Sequence, residues 1–307
     1  MTAKKTDSAS MKLIGAPFTP FDQHGALDFA VVERQAAHMR ENGLVGAFVA
    51  GTTGESASLS VSERKQLMET WRKHAGSLRL IAHVGSANLA EAIDLAAHAQ
   101  SIGVDAIGAV PPYYFRPSTT EALVDSMAAV AAAAPNLPYF YYHIPVLTKV
   151  ELPMAPVMEA AMKRIPNFAG IKFTHSDVLE YAHLVELAGD KYEVMFGRDA
   201  LLMFAMAAGG KAAVGSTYMF AASLYHDIIR AFEEGRLDDV RRGTAVSREI
   251  SALCNRYGGL VVQKAIYAMV GVASGAARAP FQPLSPAVLA EVSAFVKAGK
   301  LQLGGTK

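Results

Sequence analysis

One lysine in this sequence stands in an apolar stretch where its amine could act as a nucleophile. Lys172 lies within residues 168–175, which read FAGIKFTH, a pattern typical of a short buried strand. Burial disfavours the ammonium form and lowers the pKa of a lysine. A neutral amine attacks carbonyls and forms Schiff bases. The alternative is a lysine that reaches solvent or pairs with an acid.

Strand alternation predicts which residues share a face with this lysine. Side chains point to opposite faces in turn along a strand. The two predicted faces carry Gly170, Lys172 and Thr174 on one side, and Ala169, Ile171, Phe173 and His175 on the other.

Two further groups have types suited to a carbonyl substrate. Residues 51–55, Gly-Thr-Thr-Gly-Glu, offer two hydroxyls and several backbone N–H groups in one tight turn, which suits a carboxylate. The alternative is an ordinary turn whose threonines cap a helix. Tyr142 lies one strand–helix unit before Lys172, where a phenol could carry protons for a Schiff-base intermediate. Its alternative is a core tyrosine with a satisfied hydroxyl.

The sequence contains no motif typical of a metal site or of a serine hydrolase. The nine histidines are scattered without a His-x-x-x-His pair, and the one cysteine forms no cluster. We therefore predict no metal site, and we interpret His83, His143 and His175 as satisfied core or loop-end groups. No Gly-x-Ser-x-Gly elbow is present, which disfavours a serine hydrolase.

Short apolar segments alternate with amphipathic helical segments along most of the chain. The predicted strands are residues 13–21, 44–51, 78–85, 106–114, 138–145, 168–175, 192–197 and 212–218. Eight such alternations predict a (β/α)8 TIM barrel of α/β class, in which functional groups gather at the carboxyl ends of the strands. A doubly wound open sheet is the alternative, although no Gly-rich phosphate fingerprint follows the first strand.

The predicted domain organisation has three parts. Residues 1–10 form a polar, flexible N-terminal tail without a signal-peptide layout. Residues 11–222 form the barrel. Residues 223–307 form a C-terminal helical extension, with three or four helices packed on the barrel.

Composition limits the classes of function. The chain has 307 residues, of which 51% are hydrophobic and 19% charged, with a net charge of +1. This balance gives no reason to expect nucleic acid as a partner. The longest uncharged run, residues 126–148, is interrupted by three prolines, so we predict no membrane span. A single cysteine, Cys254, fits a reducing compartment, and we predict a cytoplasmic protein.

Four motifs in order resemble those of one family. They are Gly51-Thr52-Thr53-Gly54-Glu55, Tyr142-His143-Ile144-Pro145, Gly170-Ile171-Lys172 and Gly215-Ser216-Thr217. With these motifs the chain resembles the dihydrodipicolinate synthase / N-acetylneuraminate lyase family of class I pyruvate aldolases, over about residues 13–295.

The resemblance implies a role for each of these residues. Lys172 forms a Schiff base with the ketone of pyruvate or another 2-oxo acid, and Thr52 and Thr53 hold its carboxylate. Tyr142 shuttles the proton, helped by Tyr114, which in the family often comes from a neighbouring subunit. It also implies a homotetramer without metal or organic cofactor, acting on pyruvate or a 2-oxo acid and an aldehyde.

Within the family, the chain looks closer to the N-acetylneuraminate lyase branch. Dihydrodipicolinate synthases carry an arginine where Leu147 stands, and an apolar side chain cannot replace a bidentate carboxylate contact. The residues that match sugar-binding positions of the lyase are Thr174, Gly197, Asp199 and Ser216.

Two departures leave the substrate open. Ala200 stands where the lyase carries a glutamate that binds the sugar tail, and His143 stands where asparagine is usual. The alternatives are condensation of pyruvate with aspartate semialdehyde, as in dihydrodipicolinate synthase, and a 2-keto-3-deoxy sugar acid aldolase or dehydratase. A non-catalytic alternative is a barrel that binds pyruvate as a sensor.

Overall fold

A closed barrel of eight parallel strands forms the centre of the protein. A computed structural model describes residues 10–300, so the predicted tail, apart from Ser10, and residues 301–307 lie outside the described part. The strands are β1 (Lys12–Gly15), β2 (Gly46–Val49), β3 (Arg79–His83), β4 (Ala106–Ala109), β5 (Tyr139–His143), β6 (Phe168–Phe173), β7 (Glu193–Phe196) and β8 (Ala212–Gly215). They pair in sequence order, and β8 closes on β1. The predicted barrel is confirmed, and the open sheet is excluded.

Helices surround the barrel and continue after it. They are α1 (Ala30–Glu41), α2 (Val61–His74), α3 (Leu89–Ser101), α4 (Thr120–Ala132), α5 (Pro145–Thr148), α6 (Met154–Arg164), α7 (Val178–Ala188), α8 (Leu202–Ala207), α9 (Tyr218–Glu233), α10 (Leu237–Arg256), α11 (Leu260–Met269) and α12 (Pro286–Phe295). Short 3-10 or π-helical segments occur at Ser56–Ser58, Asp199–Leu201 and Val296–Lys300. Helix α9 runs across the boundary placed at residues 222/223.

Two apolar cores arise because each strand has two buried faces. Between strands and helices, residues such as Ile171, Phe173 and Tyr141 pack against the helical layer. Inside the barrel, a smaller cluster includes Phe48, Phe140, Tyr142 and Met195. The barrel interior is therefore filled by side chains, as expected for eight strands.

An ion pair joins opposite strands at the amino end of the barrel. Arg79 begins β3 and Glu193 begins β7, on opposite sides of the ring. Arg79 Nη1 donates to Glu193 Oε2 at 2.7 Å, and the guanidinium lies 5.3 Å from the ring centroid of Phe140. The polar side chains that could carry chemistry lie at the carboxyl end of the barrel.

A bulge in β6 corrects one sequence prediction. Tyr139 pairs with Phe168 whereas Phe140 pairs with Gly170, so Ala169 is the extra residue. Ala169 consequently packs against the inner cluster, while Ile171 and Phe173 belong to the outer core. The prediction that Ala169 shares their face is wrong, because simple alternation holds only without a bulge.

Gly170 makes the bulge possible. Its φ is +146°, and a Cβ at this position would collide with the carbonyl oxygen of Glu193 on β7. Only glycine combines this backbone conformation with such a close approach. Gly170 precedes Lys172 by two residues, so the bulge sets the face on which that lysine lies.

The first, fourth and eighth predicted strands are too long. Residues 13–21, 106–114 and 212–218 were expected, but β1 ends at Gly15, β4 at Ala109 and β8 at Gly215. Pro17 and Pro20 have no N–H to donate to a neighbouring strand, so ladder pairing cannot continue through them.

Candidate active site

Lys172 lies inside the barrel, near the carboxyl end of β6. Its side chain is buried, and its Nζ lies 3.8 Å from the ring centroid of Phe48 and 3.8 Å from that of Tyr142. Burial lowers the pKa of Lys172, opposed by Tyr142 and by the negative charge of Asp199. An amine in these surroundings loses its proton more readily than an ordinary lysine.

Tyr142 lies beside Lys172 because β5 and β6 pair in parallel. The two residues are direct partners in the strand register. The Tyr142 hydroxyl lies 3.3 Å from Oγ1 of Thr52, within hydrogen-bond distance. Three residues predicted from separate motifs thus meet at one end of the barrel.

The turn that carries Thr52 and Thr53 has an unusual backbone. Ala50 and Glu55, which flank it, have φ values of +54° and +56°. Non-glycine residues adopt this region at an energetic cost, and such strain is often found at functional sites. Thr19 Oγ1 donates to the carbonyl of Gly54 at 2.6 Å and holds the turn from the side of β1.

His83 supports the same turn from β3. Its Nδ1 lies 2.9 Å from the carbonyl oxygen of Ala50, and the N–H of Val110 donates to its Nε2 at 3.4 Å. Burial, followed by the charges of Arg64 and Lys172, lowers its pKa well below the ordinary value, so the ring is neutral. Both ring nitrogens have partners, which confirms the prediction of a satisfied core histidine.

His143 and His175 differ from His83. Their Nδ1 atoms are buried without a hydrogen-bond partner among the described residues. Burial, together with the nearby His175, lowers the pKa of His143 to about 3. The prediction that these two rings are satisfied is wrong for their Nδ1 atoms.

The four residues predicted for the distal part of the substrate lie at the ends of β6, β7 and β8. Gly197 approaches Thr174 so closely that a Cβ would collide with Oγ1 of Thr174, and that hydroxyl has no partner within residues 10–300. Gly215, next to Ser216, similarly approaches the carboxylate of Asp199. The glycines leave room for the two polar side chains.

Asp199 is held by a buried chain of hydroxyls. Its Oδ2 accepts from the N–H of Thr217 at 3.0 Å and from Oγ1 of Thr217 at 2.6 Å. Thr217 Oγ1 also lies 2.7 Å from the hydroxyl of Tyr225, which lies 2.8 Å from Oγ of Ser247. Burial raises the pKa of Asp199, opposed by the two bonds from Thr217.

Two cavities lie on either side of this end of the barrel. One, of about 550 Å³, is lined by Thr52, Tyr113 and Leu147. The other, of about 700 Å³, is lined by Thr174 and Arg198. Thr52 and Thr174 each line one of the cavities, whereas Lys172 lines neither.

Tyr114 is not brought to the lysine within this chain. Its side chain is 74% exposed and packs edge-on against Phe115, which is 84% exposed. The structure leaves both aromatic rings facing outward.

The sequence reasoning missed two contributors, Phe48 and Thr217. Phe48 was missed because a single aromatic residue in an apolar strand has the pattern of an ordinary core residue. Alternation along β2 could have found it, since Phe48 is the one large residue on the inner face. Thr217 belongs to the Gly215-Ser216-Thr217 motif, but its contact with Asp199 forms only where the segments after β7 and β8 meet.

Fold and site together define a class. A closed parallel barrel with a buried lysine, a neighbouring phenol and a hydroxyl-rich turn at its carboxyl end is the arrangement of a Schiff-base-forming aldolase. The chain matches the model of the Dihydrodipicolinate synthetase family over residues 9–299. The chain belongs to this family, and it is a pyruvate-dependent carbon–carbon lyase.

Similarities to individual proteins agree with this assignment. N-acetylneuraminate lyase of Rattus norvegicus is 35% identical over 93% of this chain and 91% of its own length. The structure of Proteus mirabilis N-acetylneuraminate lyase has a TM-score of 0.92 and 35% identity, covering 96% of this chain and all of that chain. The structure of a dihydrodipicolinate synthase from Bacillus anthracis has a TM-score of 0.88 and 28% identity, covering 94% of this chain and 98% of that chain.

Among residues 10–300, none of the helices combines the length and the apolar character that crossing a bilayer requires.

Proposed function

We propose that Lys172 is the Schiff-base lysine of an aldolase that splits a 2-oxo-3-deoxy acid into pyruvate and an aldehyde, or joins them. N-acetylneuraminate is the first candidate substrate, supported by the similarity to N-acetylneuraminate lyases. The observation that carries the proposal is the position of Lys172 Nζ, 3.8 Å from two aromatic rings. Asp199 acts on it only through its charge, and no carboxylate among residues 10–300 forms an ion pair with it.

In the proposed reaction the lysine supplies the electron sink. The amine attacks the 2-oxo carbon, and loss of water leaves an iminium ion. Removal of the proton from the hydroxyl on C4 breaks the C3–C4 bond. The bonding pair moves toward the iminium nitrogen, the aldehyde leaves, and an enamine remains. Protonation at C3 and hydrolysis then release pyruvate and the free amine. No metal or organic cofactor takes part in this scheme.

We assign proton transfer to Tyr142 and carboxylate binding to Thr52 and Thr53. The hydrogen-bond distance between Tyr142 and Thr52 supports a path by which a proton reaches the phenol. The backbone N–H groups of the strained turn offer donors to an anion. Tyr114 is assigned as a helper that a neighbouring subunit contributes, since it is exposed in its own chain.

For the distal part of the substrate we propose Thr174, Gly197, Asp199 and Ser216. The unpartnered hydroxyl of Thr174 and the carboxylate of Asp199 suit the hydroxyls of a polyol chain. These contacts would decide which aldehyde leaves.

Borohydride trapping with pyruvate tests the lysine. Reduction of the iminium ion fixes the pyruvate carbons on the protein, and mass spectrometry after digestion locates them. We expect labelling at Lys172, loss of labelling in Lys172→Ala, and full labelling in the control Lys65→Ala, whose lysine pairs with Asp94 on the surface. Labelling elsewhere, or none, would overturn the proposal. Stabilisation by pyruvate without labelling would support the sensor alternative.

Two assays choose the substrate. Pyruvate release from N-acetylneuraminate is compared with condensation of pyruvate and aspartate semialdehyde, at equal enzyme concentration. We expect the lyase reaction to be faster, because Leu147, 58% exposed at the mouth of one cavity, offers no charge to the carboxylate of aspartate semialdehyde. Turnover of neither compound, with trapping intact, would favour another 2-keto-3-deoxy sugar acid.

The assembly and the compartment are part of the proposal. The exposed pair Tyr114 and Phe115 fits a surface that a second copy of the chain covers, as in a homotetramer. Analytical ultracentrifugation tests this, and Tyr114→Ala should lower both assembly and activity. The single cysteine, buried and free, fits the reducing cytoplasm.

A further inference from the structure

A second group of polar side chains gathers outside the barrel, beside β5 and β6. His143 ends β5, His175 follows β6, and Glu180 lies in the first turn of α7. One ligand atom from each of the three lies within 4.8 Å of the others. His143 is far from the other two in the sequence, so no motif spacing connects all three.

Both rings leave a nitrogen without a partner. His143 is only 2% exposed, and its Nδ1 has no hydrogen-bond partner among the described residues. The same holds for Nδ1 of His175. A buried ring nitrogen without a hydrogen-bond partner costs free energy, so a bound water or ion is the usual explanation for such an atom.

Glu180 has one oxygen engaged and one to spare. Its Oε1 accepts from the N–H of Met154, the first residue of α6, at 2.7 Å. That bond fixes the carboxylate and leaves Oε2 for another contact. A ligand whose carboxylate is already hydrogen-bonded is the usual arrangement in metal sites.

We propose that His143, His175 and Glu180 form a binding site for a divalent transition-metal ion of the zinc type, away from Lys172 but beside the cavity that Thr174 also lines. Two imidazoles and a carboxylate suit zinc, cobalt or nickel, whereas magnesium and calcium prefer oxygen ligands throughout. Three protein ligands leave a fourth position, which faces the cavity of about 700 Å³ that these residues line.

The geometry requires little movement. Ligands about 2.0–2.1 Å from a tetrahedral zinc ion lie about 3.3 Å from one another. The present separations reach 4.8 Å at most, and side-chain rotation can close such a gap.

Charges around the site have both signs. The amino end of α7 disfavours a cation, but Asp177 and Glu180 place two carboxylates in that first turn. Lys149 and Arg198 also line the cavity, yet both side chains are exposed, so water and salt screen them. The bound ion would join the carboxyl ends of β5 and β6 to α7 and so hold the strands that carry Tyr142 and Lys172.

Calorimetric titration with zinc chloride tests the site. The protein is the full chain without an affinity tag, treated with chelator and then freed of it. We expect one zinc ion per chain and a rise in the thermal midpoint of about 5 °C at a zinc concentration about 100 times Kd. Cobalt should give the intense visible absorption of a four-coordinate ion.

Variants identify the ligands. His175→Ala should weaken zinc binding by more than about 100-fold, since even changes behind a ligand cost about 10–100-fold. Glu180→Gln keeps an acceptor for the Met154 N–H but loses the anionic ligand, so it should also bind zinc more weakly. His183→Ala, an exposed histidine on the same helix, is the matched control and should bind normally. Lys172→Ala should bind normally too.

Several outcomes would overturn the proposal. They are unchanged binding in both His175→Ala and Glu180→Gln, no zinc binding by the wild type, or a crystal grown with zinc that shows only a bound water between the rings. If circular dichroism shows that His175→Ala does not fold, zinc binding by Glu180→Gln and the cobalt spectrum still test the proposal. Pyruvate trapping is measured separately, so failure here leaves the assignment of Lys172 untouched.

Discussion

Two lysines of this protein are buried to the same degree and have opposite surroundings. Lys172 and Lys264 are each 4% exposed. Lys264 Nζ donates to Oε1 of Glu55 at 2.9 Å and to the carbonyls of Thr19 and Ala276 at 3.0 Å. All three of its protons therefore have acceptors, whereas Lys172 Nζ faces the rings of Phe48 and Tyr142.

The difference shows what makes a buried amine reactive. Burial lowers the pKa of both lysines, but Glu55 opposes the shift for Lys264 through an ion pair. An amine with a carboxylate and two carbonyls is held as an ammonium ion, because its charge is compensated. An amine without an ion-pair partner loses its proton more readily, and the neutral form can attack a carbonyl.

The structural lysine also serves the site. Glu55 ends the Thr52-Thr53 turn with a positive φ, and its second oxygen accepts from the N–H of Arg278 at 2.9 Å. The C-terminal segments thereby fix the conformation of a turn at the mouth of the barrel. The buried ion pair of Lys264 and Glu55 therefore maintains the geometry of the Thr52-Thr53 turn in the candidate active site.

The largest expected effect comes from Lys172→Met. Turnover should fall by about 10⁶-fold, the order that follows loss of a catalytic nucleophile. Stability should rise by about 0.5–2 kcal/mol, because an uncompensated buried amine is replaced by an apolar side chain. Steady-state kinetics and urea unfolding measure the two changes. Appreciable residual turnover in a folded variant would show that Lys172 is not the nucleophile.

Tyr142→Phe is expected next. Loss of the phenol should lower kcat by about 10²–10⁴-fold, the range for general acid–base groups. The aromatic ring beside Lys172 remains, so borohydride trapping with pyruvate should persist, although more slowly. A variant with normal kcat would assign proton transfer to another group.

Lys264→Met should act on the fold rather than on the chemistry. It leaves Glu55 buried without its partner, and the free energy of unfolding should fall by about 3–5 kcal/mol. The double variant Glu55→Gln/Lys264→Met should lose less, and its KM for pyruvate should rise because the turn is less well held. Equal losses in the single and double variants, measured by urea unfolding, would contradict the ion-pair account.

The smallest effect is the dependence of stability on pH. The folded pKa of Lys172 lies below its ordinary value of 10.5, so the unfolded chain binds more protons between those two pKa values. Stability relative to Lys172→Met should therefore rise with pH in that window, by at most about 1.4 kcal/mol per pH unit. Unfolding of both proteins between about pH 7 and pH 10 measures this. A difference that is independent of pH would mean that Lys172 titrates normally.

Local patterns predicted the elements well. Each of the eight predicted strand segments overlaps an observed strand, and Ser60 and Glu63 at the start of α2 form both hydrogen bonds of a capping box. Such features depend on neighbours in the chain, and periodicity and capping signals report them directly. The end of β1 and the face of Ala169 were wrong, because prolines and a bulge act through pairing with other strands.

The sequence by itself determined the order of the eight strands and helices, the family, and the residue types at the strand ends, because apolar periodicity and short motifs are local. Tertiary structure alone decided that Lys172 faces two rings while Lys264 meets Glu55. It also decided that Thr217 holds Asp199 and that His143, His175 and Glu180 converge. Apart from His175 and Glu180, these contacts join residues far apart in the chain, and only closure of the barrel brings them within a few ångströms.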